Sequence, residues 1–245
     1  MMNASDDRQI GRVVTRRETV ALLAISGIAV VSRISHGLLH SFGTKRLAPS
    51  CVVRPAQTEG PYFVEERLNR ADIRTDPTTG KVTAGAPLEL VMTISTFASG
   101  GCVPLAGAQV DIWHCDASGV YSDVDNPAFN TFGRKFLRGY QVTDANGSVR
   151  FSTIYPGWYP IRTVHIHFKA RANAGSARGH EFTSQLYFND TFTDRVFARA
   201  EYAGRGPRRV RNQQDEIFRE GGDQLLLDVK KKGDGYAAMF NLGLH

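Results

Sequence analysis

The 245-residue chain is 42% hydrophobic and 22% charged, an ordinary globular composition, and is long enough to bury a full core without metals or disulfides. Its formal charge of +6 is uneven: residues 1–47 carry seven positive and three negative side chains (+4), leaving +2 for the remainder. No spaced aromatics or nucleic-acid motif accompany the basic residues, so no nucleic-acid partner is expected.

Thr15-Arg16-Arg17 precedes an uncharged stretch whose apolar core runs from Val20 to Val31. That core is shorter than the ~20 residues of a membrane span but suits the h-region of an export signal. Paired arginines ahead of a mildly apolar stretch point to the twin-arginine route. Residues 1–47 are therefore read as signal and linker of an exported protein, periplasmic or extracellular. The alternative is an anchoring or amphipathic N-terminal helix, so a membrane enters only for export or as a tether. Three cysteines, Cys51, Cys102 and Cys115, allow one bridge and one free thiol, and the sequence does not choose the pair. A Cys51–Cys102 bridge is the expectation carried forward, because both residues sit near the starts of elements; Cys115 is the alternative partner.

Residues 48–245 read as one catalytic domain, a single all-β sandwich with long loops. Leu88, Leu90, Met92 and Ile94 alternate as in a half-buried strand, and Val110 to Trp113 do the same. Gln141–Thr143 and Ser148–Ser152 flank Asn146-Gly147, a hairpin-turn signal because both residues tolerate positive φ. Strands are expected over 164–170, 184–188, 225–229 and 237–242, and one short helix near 194–202. Many short strands separated by turn signals favour a sandwich. Arg205, Arg208, Arg209 and Arg211 are read as a solvated loop rather than an anion site.

Chemistry concentrates in the middle of the chain. In Val164-His165-Ile166-His167-Phe168 the two imidazoles share one strand face, a spacing that suits one metal ion but also an ordinary polar face. Tyr159 lies in Tyr155-Pro-Gly-Trp-Tyr-Pro160, a stiffened loop leading into that strand; Tyr155 is a decoy in the same loop. Tyr121 follows a Gly-containing turn after the Val110 strand. Each tyrosine alone is also readable as a plain loop aromatic. His114, at the strand end, is read as structural more readily than as a ligand.

Taken together, Thr58-Glu-Gly-Pro-Tyr-Phe63, Val110-Asp-Ile-Trp-His-Cys-Asp-Ala-Ser-Gly-Val-Tyr121, Phe136-Leu-Arg-Gly139, Thr153-Ile-Tyr-Pro-Gly-Trp-Tyr159 and Arg162-Thr-Val-His-Ile-His167 resemble the intradiol ring-cleavage dioxygenases, the family of protocatechuate and catechol dioxygenases. The resemblance spans about residues 51–245 and lacks the helical N-terminal domain of catechol 1,2-dioxygenases. It implies a β-sandwich holding one Fe(III) per chain through Tyr121, Tyr159, His165 and His167. It also implies Arg162 and Tyr159 acting on the substrate, and Gln185 orienting its neighbours. Tyr62 is either a pocket wall or ordinary packing. The implied reaction opens a catechol-type ring between its hydroxylated carbons with O2 to a cis,cis-muconate-type diacid. Two phenolates suit a hard, highly charged cation, whereas Fe(II) oxygenases usually show two His and a carboxylate. A non-catalytic sandwich that kept the fold, or a hydrolase or extradiol enzyme with another metal site, are the competing readings.

Overall fold

The computed structural model describes residues 51–98, 100–126, 129–172 and 180–244. The segment read as an export signal, with Arg16 and Arg17, lies outside them. No helix among the described residues is long and apolar enough to cross a membrane.

Eleven strands occur among the described residues: β1 (Pro87–Ala98), β2 (Gly101–Pro104), β3 (Gln109–Trp113), β4 (Asp125–Asn126), β5 (Phe129–Asn130), β6 (Arg138–Val142), β7 (Ser148–Ile154), β8 (His165–Ala172), β9 (His180–Tyr187), β10 (Asp228–Lys232) and β11 (Gly235–Leu244). One sheet has the order β10-β11-β1, with β7 and β2 both paired to β1, and the other runs β6-β3-β8-β9. All pairings are antiparallel except β1 with β11, which runs parallel from Leu88 opposite Tyr236 to Thr96 opposite Leu244.

The alternation in β1 buries Leu88, Leu90, Met92 and Ile94. They join Val110, Ile112, Ile166, Phe168, Phe240 and Leu242 in one core cluster. Phe168 and Phe240 meet across the two sheets at 5.5 Å between ring centroids. Each such side chain taken from water contributes roughly 1.5–3 kcal/mol, which makes this layer the main stabilising block.

Three expectations are corrected. The turn at Asn146-Gly147 does not close a hairpin, since β6 pairs with β3 and β7 with β1. The chain turns there, Gly147 N–H donating to Asp144 O, and passes from one sheet to the other. Local turn chemistry alone does not say which strand each arm will find. Second, the domain is mostly β rather than all-β: α1 (Asp190–Phe197), α2 (Ala200–Ala203), α3 (Glu216–Arg219) and two 3-10 turns lie between β9 and β10. The Asn189 side chain caps α1 by accepting from Phe192 N–H, so the helix starts earlier than its apolar pattern suggested. Third, the arginine run is not simply solvated. Arg208 is buried in ion pairs with Asp190 and Asp194, and Arg211 also reaches Asp194.

Cys51 and Cys102 form a disulfide with Cα atoms 5.4 Å apart, and Cys115 is the free, buried thiol. Burial pushes the Cys115 thiol well above its ordinary range. Native protein should therefore show no fast-reacting thiol and denatured protein one per chain. A bridge closing a 51-residue separation is worth up to about 4 kcal/mol in the chain-entropy model, so reduction should lower the unfolding free energy by at most that amount.

Candidate metal centre

The site begins with an unusual strand. Along β8 the residues Ile166, Phe168 and Ala170 face the core, while His165, His167, Lys169 and Arg171 share the opposite face. That polar face is also buried at its first three positions. Its cover is the segment 54–66, laid across β8 and β9. Gln57 N–H donates to Thr183 O at 3.0 Å, and Gln185 Nε2 donates to Thr58 O at 3.0 Å. Glu59 pairs with Lys169, and Glu65 with Arg171 at 2.7 Å. Gly60, at φ +70°, brings this strap against the His167 ring: a Cβ there would lie 3.2 Å from His167 Cε1.

Two loops deliver the phenols. Asp116 O accepts the N–H groups of Gly119 and Gly157, and Asp116 Oδ1 accepts that of Val120, which locks the turn before Tyr121 to the loop before Tyr159. A side chain at Gly157 would strike the backbone of Ala117 at 2.4 Å, so only glycine allows the two loops to touch. Arg138 holds the strap to the first loop: its Nη1 donates to Tyr62 O at 2.6 Å and its Nε to Ser122 Oγ at 2.8 Å. Tyr62 stacks on Tyr121 with ring centroids 4.5 Å apart.

Four donor atoms converge. From His165 Nε2, His167 Nε2 lies at 3.0 Å, Tyr159 Oη at 3.2 Å and Tyr121 Oη at 3.5 Å. His165 Nδ1 donates to Thr163 O at 2.7 Å, which leaves Nε2 with its lone pair facing the cluster. Trp113, opposite His167 across the β3–β8 pair, lies parallel to its ring at 5.0 Å and fixes that imidazole in plane. Burial, then the Arg162 charge, lowers both imidazoles well below the ordinary histidine range, so both are neutral. Burial and the neighbouring Tyr159 push the Tyr121 phenol far up; burial raises Tyr159 too, against the pull of Arg162. The His167 Nδ1 atom is buried without a hydrogen-bond partner among the described residues.

These residues fit a metal ion. Ligand atoms held at about 2.0–2.1 Å from one centre stand roughly 3 Å apart, the spacing found here. Buried phenols with raised pKa lose their protons only to a strongly polarising cation, which also neutralises them.

Arg162 is built into the rim. Its Nε donates to Asp215 Oδ2 at 2.8 Å and its Nη2 to Gln185 Oε1 at 2.6 Å. Gln185 is oriented by its own bond to Thr58 O, and Tyr187 Oη lies 3.0 Å from its Oε1.

The structure thus brings together Tyr121, Tyr159, His165 and His167, with Arg162, Gln185 and Tyr62 around them. Tyr155 is apart: it is buried in the core against Phe188, its Oη 2.7 Å from Thr193 Oγ1. His114 is also apart, its Nδ1 2.8 Å from Cys115 O and its Nε2 2.7 Å from Thr153 Oγ1. Sequence reasoning missed Asp215, Gln57, Tyr187 and Arg138. Asp215 is legible as the N-cap of Glu216-Ile-Phe, but nothing in the sequence links it to Arg162, 53 positions earlier.

Known proteins resemble this chain in sequence and in fold. The sequence model of a family described as "Dioxygenase" matches residues 58–213. The chain is similar to an intradiol ring-cleavage dioxygenase from Tetranychus urticae, with 32% identity, a TM-score of 0.68, and coverage of 80% of this chain and 97% of that one. The dioxygenase domain of a dioxygenase–carbohydrate-binding fusion from Streptomyces sp. SirexAA-E aligns with 31% identity and a TM-score of 0.57 over 79% of this chain and 98% of that one. The beta chain of protocatechuate 3,4-dioxygenase from Burkholderia cepacia is 33% identical over 138 residues, 52% of this chain and 56% of that protein. The chain spans about half, or less, of the curated relatives it matches.

The two loop tyrosines should separate cleanly in experiment. Tyr121→Phe is expected to lower bound metal per chain severalfold. Tyr155→Phe should leave metal content unchanged and cost about 1 kcal/mol of unfolding free energy, the worth of one buried hydrogen bond. Metal analysis and denaturant melts on the purified variants check both.

Proposed function

The chain belongs to the intradiol ring-cleavage dioxygenase family, and on that premise we propose that it cleaves a catechol-type ring between the two hydroxylated carbons with O2 to give a cis,cis-muconate-type diacid. The observation that carries this reading is the convergence of two phenols and a second imidazole within 3.0–3.5 Å of His165 Nε2. Hard, anionic phenolates favour Fe(III) over softer or less charged ions. Tyr121, Tyr159, His165 and His167 would hold it, one per chain. When bound, Fe(III) would supply Lewis-acidic, redox-active chemistry.

The residues of the chain divide the remaining work. Tyr159, half-buried where Tyr121 is fully buried, is the phenol on the accessible side of the cage, and its Oη would accept a catechol proton. Tyr121, His165 and His167 remain as the fixed part of the cage. Arg162 presents a fixed positive charge to the ring oxygens as negative charge develops, an electrostatic contribution made before reaction begins. Gln185 keeps that guanidinium in place. Tyr62, stacked on Tyr121, walls the pocket. Both oxygen atoms of O2 enter the diacid, so the reaction needs no other co-reactant.

The reading includes export by the twin-arginine route. The Cys51–Cys102 bridge suits an oxidising compartment, and that route carries folded protein, so metal is inserted before export. Replacing Arg16 and Arg17 by lysine should retain active, iron-loaded protein in the cytoplasm. Unchanged export would reject the route and leave the chemistry untouched.

Iron-loaded protein should be coloured by phenolate-to-iron charge transfer, and labelled O2 should place both atoms in a ring-opened diacid. A yellow semialdehyde, the product of cleavage beside the diol, would reject the proposal. Arg162→Ala should lower turnover by roughly 10²-fold while retaining iron, the scale of a lost preorganised donor.

A further inference from the structure

Asp215 takes no part in the cage of donor atoms, yet its carboxylate is 1% exposed and serves two unrelated segments at once. Oδ1 accepts the N–H groups of Ile217 at 2.9 Å and Phe218 at 3.1 Å, capping α3. Oδ2 turns the other way and accepts Thr163 N–H at 2.7 Å and Arg162 Nε at 2.8 Å. The Arg162 guanidinium is therefore gripped on two edges, Nε by Asp215 and Nη2 by Gln185, while Nη1 makes no hydrogen bond among the described residues. The Nη2 edge meets only neutral oxygens, Gln185 Oε1 and, at 3.5 Å, Tyr187 Oη, about which a guanidinium swings. A carboxylate on the Nε edge adds charge and a second fixed point, which sets the plane of the group. The bond to Thr163 N–H pins the backbone between Arg162 and His165, so one carboxylate ties the rim to the start of the ligand strand.

We propose that Asp215 is the positioning residue for Arg162, holding the guanidinium at the angle from which it meets the charge of the substrate. This rests on the assignment of Arg162 to the catechol. A purely structural role, capping α3, is separable, because asparagine caps a helix as well as aspartate does but carries no charge.

The test is a double-mutant cycle on iron-loaded protein: wild type, Asp215→Asn, Arg162→Gln and the pair. All four are assayed below their melting midpoints for iron per chain, the catechol-induced shift of the visible band, and kcat/KM for ring opening. Asp215→Asn should keep iron and lower kcat/KM by about tenfold, with the same replacement mattering less than about twofold once Arg162 is gone, since residues acting as one unit are not additive. Equal fold-losses in both backgrounds, or full kcat/KM in Asp215→Asn, would overturn the proposal and leave the dioxygenase reading intact. Should Asp215→Asn not fold, Asp215→Glu decides: it keeps the charge and caps less well. Ring-opening activity that survives in Asp215→Glu with a lowered melting midpoint supports positioning, and activity lost in step with stability overturns it. Wild-type protein that loads iron and opens no catechol would overturn both the dioxygenase reading and this inference.

Discussion

Everything at this site depends on burying the polar face of one strand. β8 places two imidazoles, an ammonium and a guanidinium in a row on the side away from the core. Groups of that kind leave water at a cost of several kcal/mol each unless they find partners. The strap 54–66 provides them residue by residue, with Glu59 for Lys169 and Glu65 for Arg171, while β3 contributes Asp111 to Arg171. Only at His165 and His167 are the inward-facing nitrogens left to one another and to two phenols. The cage is the stretch of the strand face that the strap leaves for a metal ion.

The same cover gives the site its rigidity. Strap, β9 and the α3 region meet through Gln57, whose Oε1 lies 2.8 Å from Tyr187 Oη and whose Nε2 donates to Ile217 O at 2.8 Å. Arg162 sits inside that network. Each ligand or rim residue is held by a neighbour that is itself held, which is how a constellation keeps its geometry before substrate arrives.

The sequence made the chemistry legible more fully than the packing. Strand alternation placed His165 and His167 on one face, and the ordered motifs singled out Tyr121 and Tyr159 over Tyr155. Those signals are local or depend on residue type. Asp215, Gln57 and Tyr187 escaped because their role is a contact across more than 20 positions, with no periodicity to mark it. The turn at Asn146-Gly147 was recognised while its consequence was misjudged, because a turn fixes the direction of the chain and not the sheet that each arm joins. The helix expected near 194–202 is there as α1 and α2, whereas α3 was too brief for its periodicity to separate it from loop.

The parallel pairing of β1 with β11 has a consequence for biogenesis. Leu88 and Tyr236 are neighbours in the sheet, and all the residues of the cage lie between them in the chain. β1 emerges during synthesis long before the strand that will flank it, and until β11 arrives that edge is an open row of backbone donors and acceptors with Leu90 and Met92 beside it. Such non-local closure makes folding slow and leaves intermediates prone to association. A cell making this protein would do best to hold the nascent chain with a chaperone until its last strand has emerged.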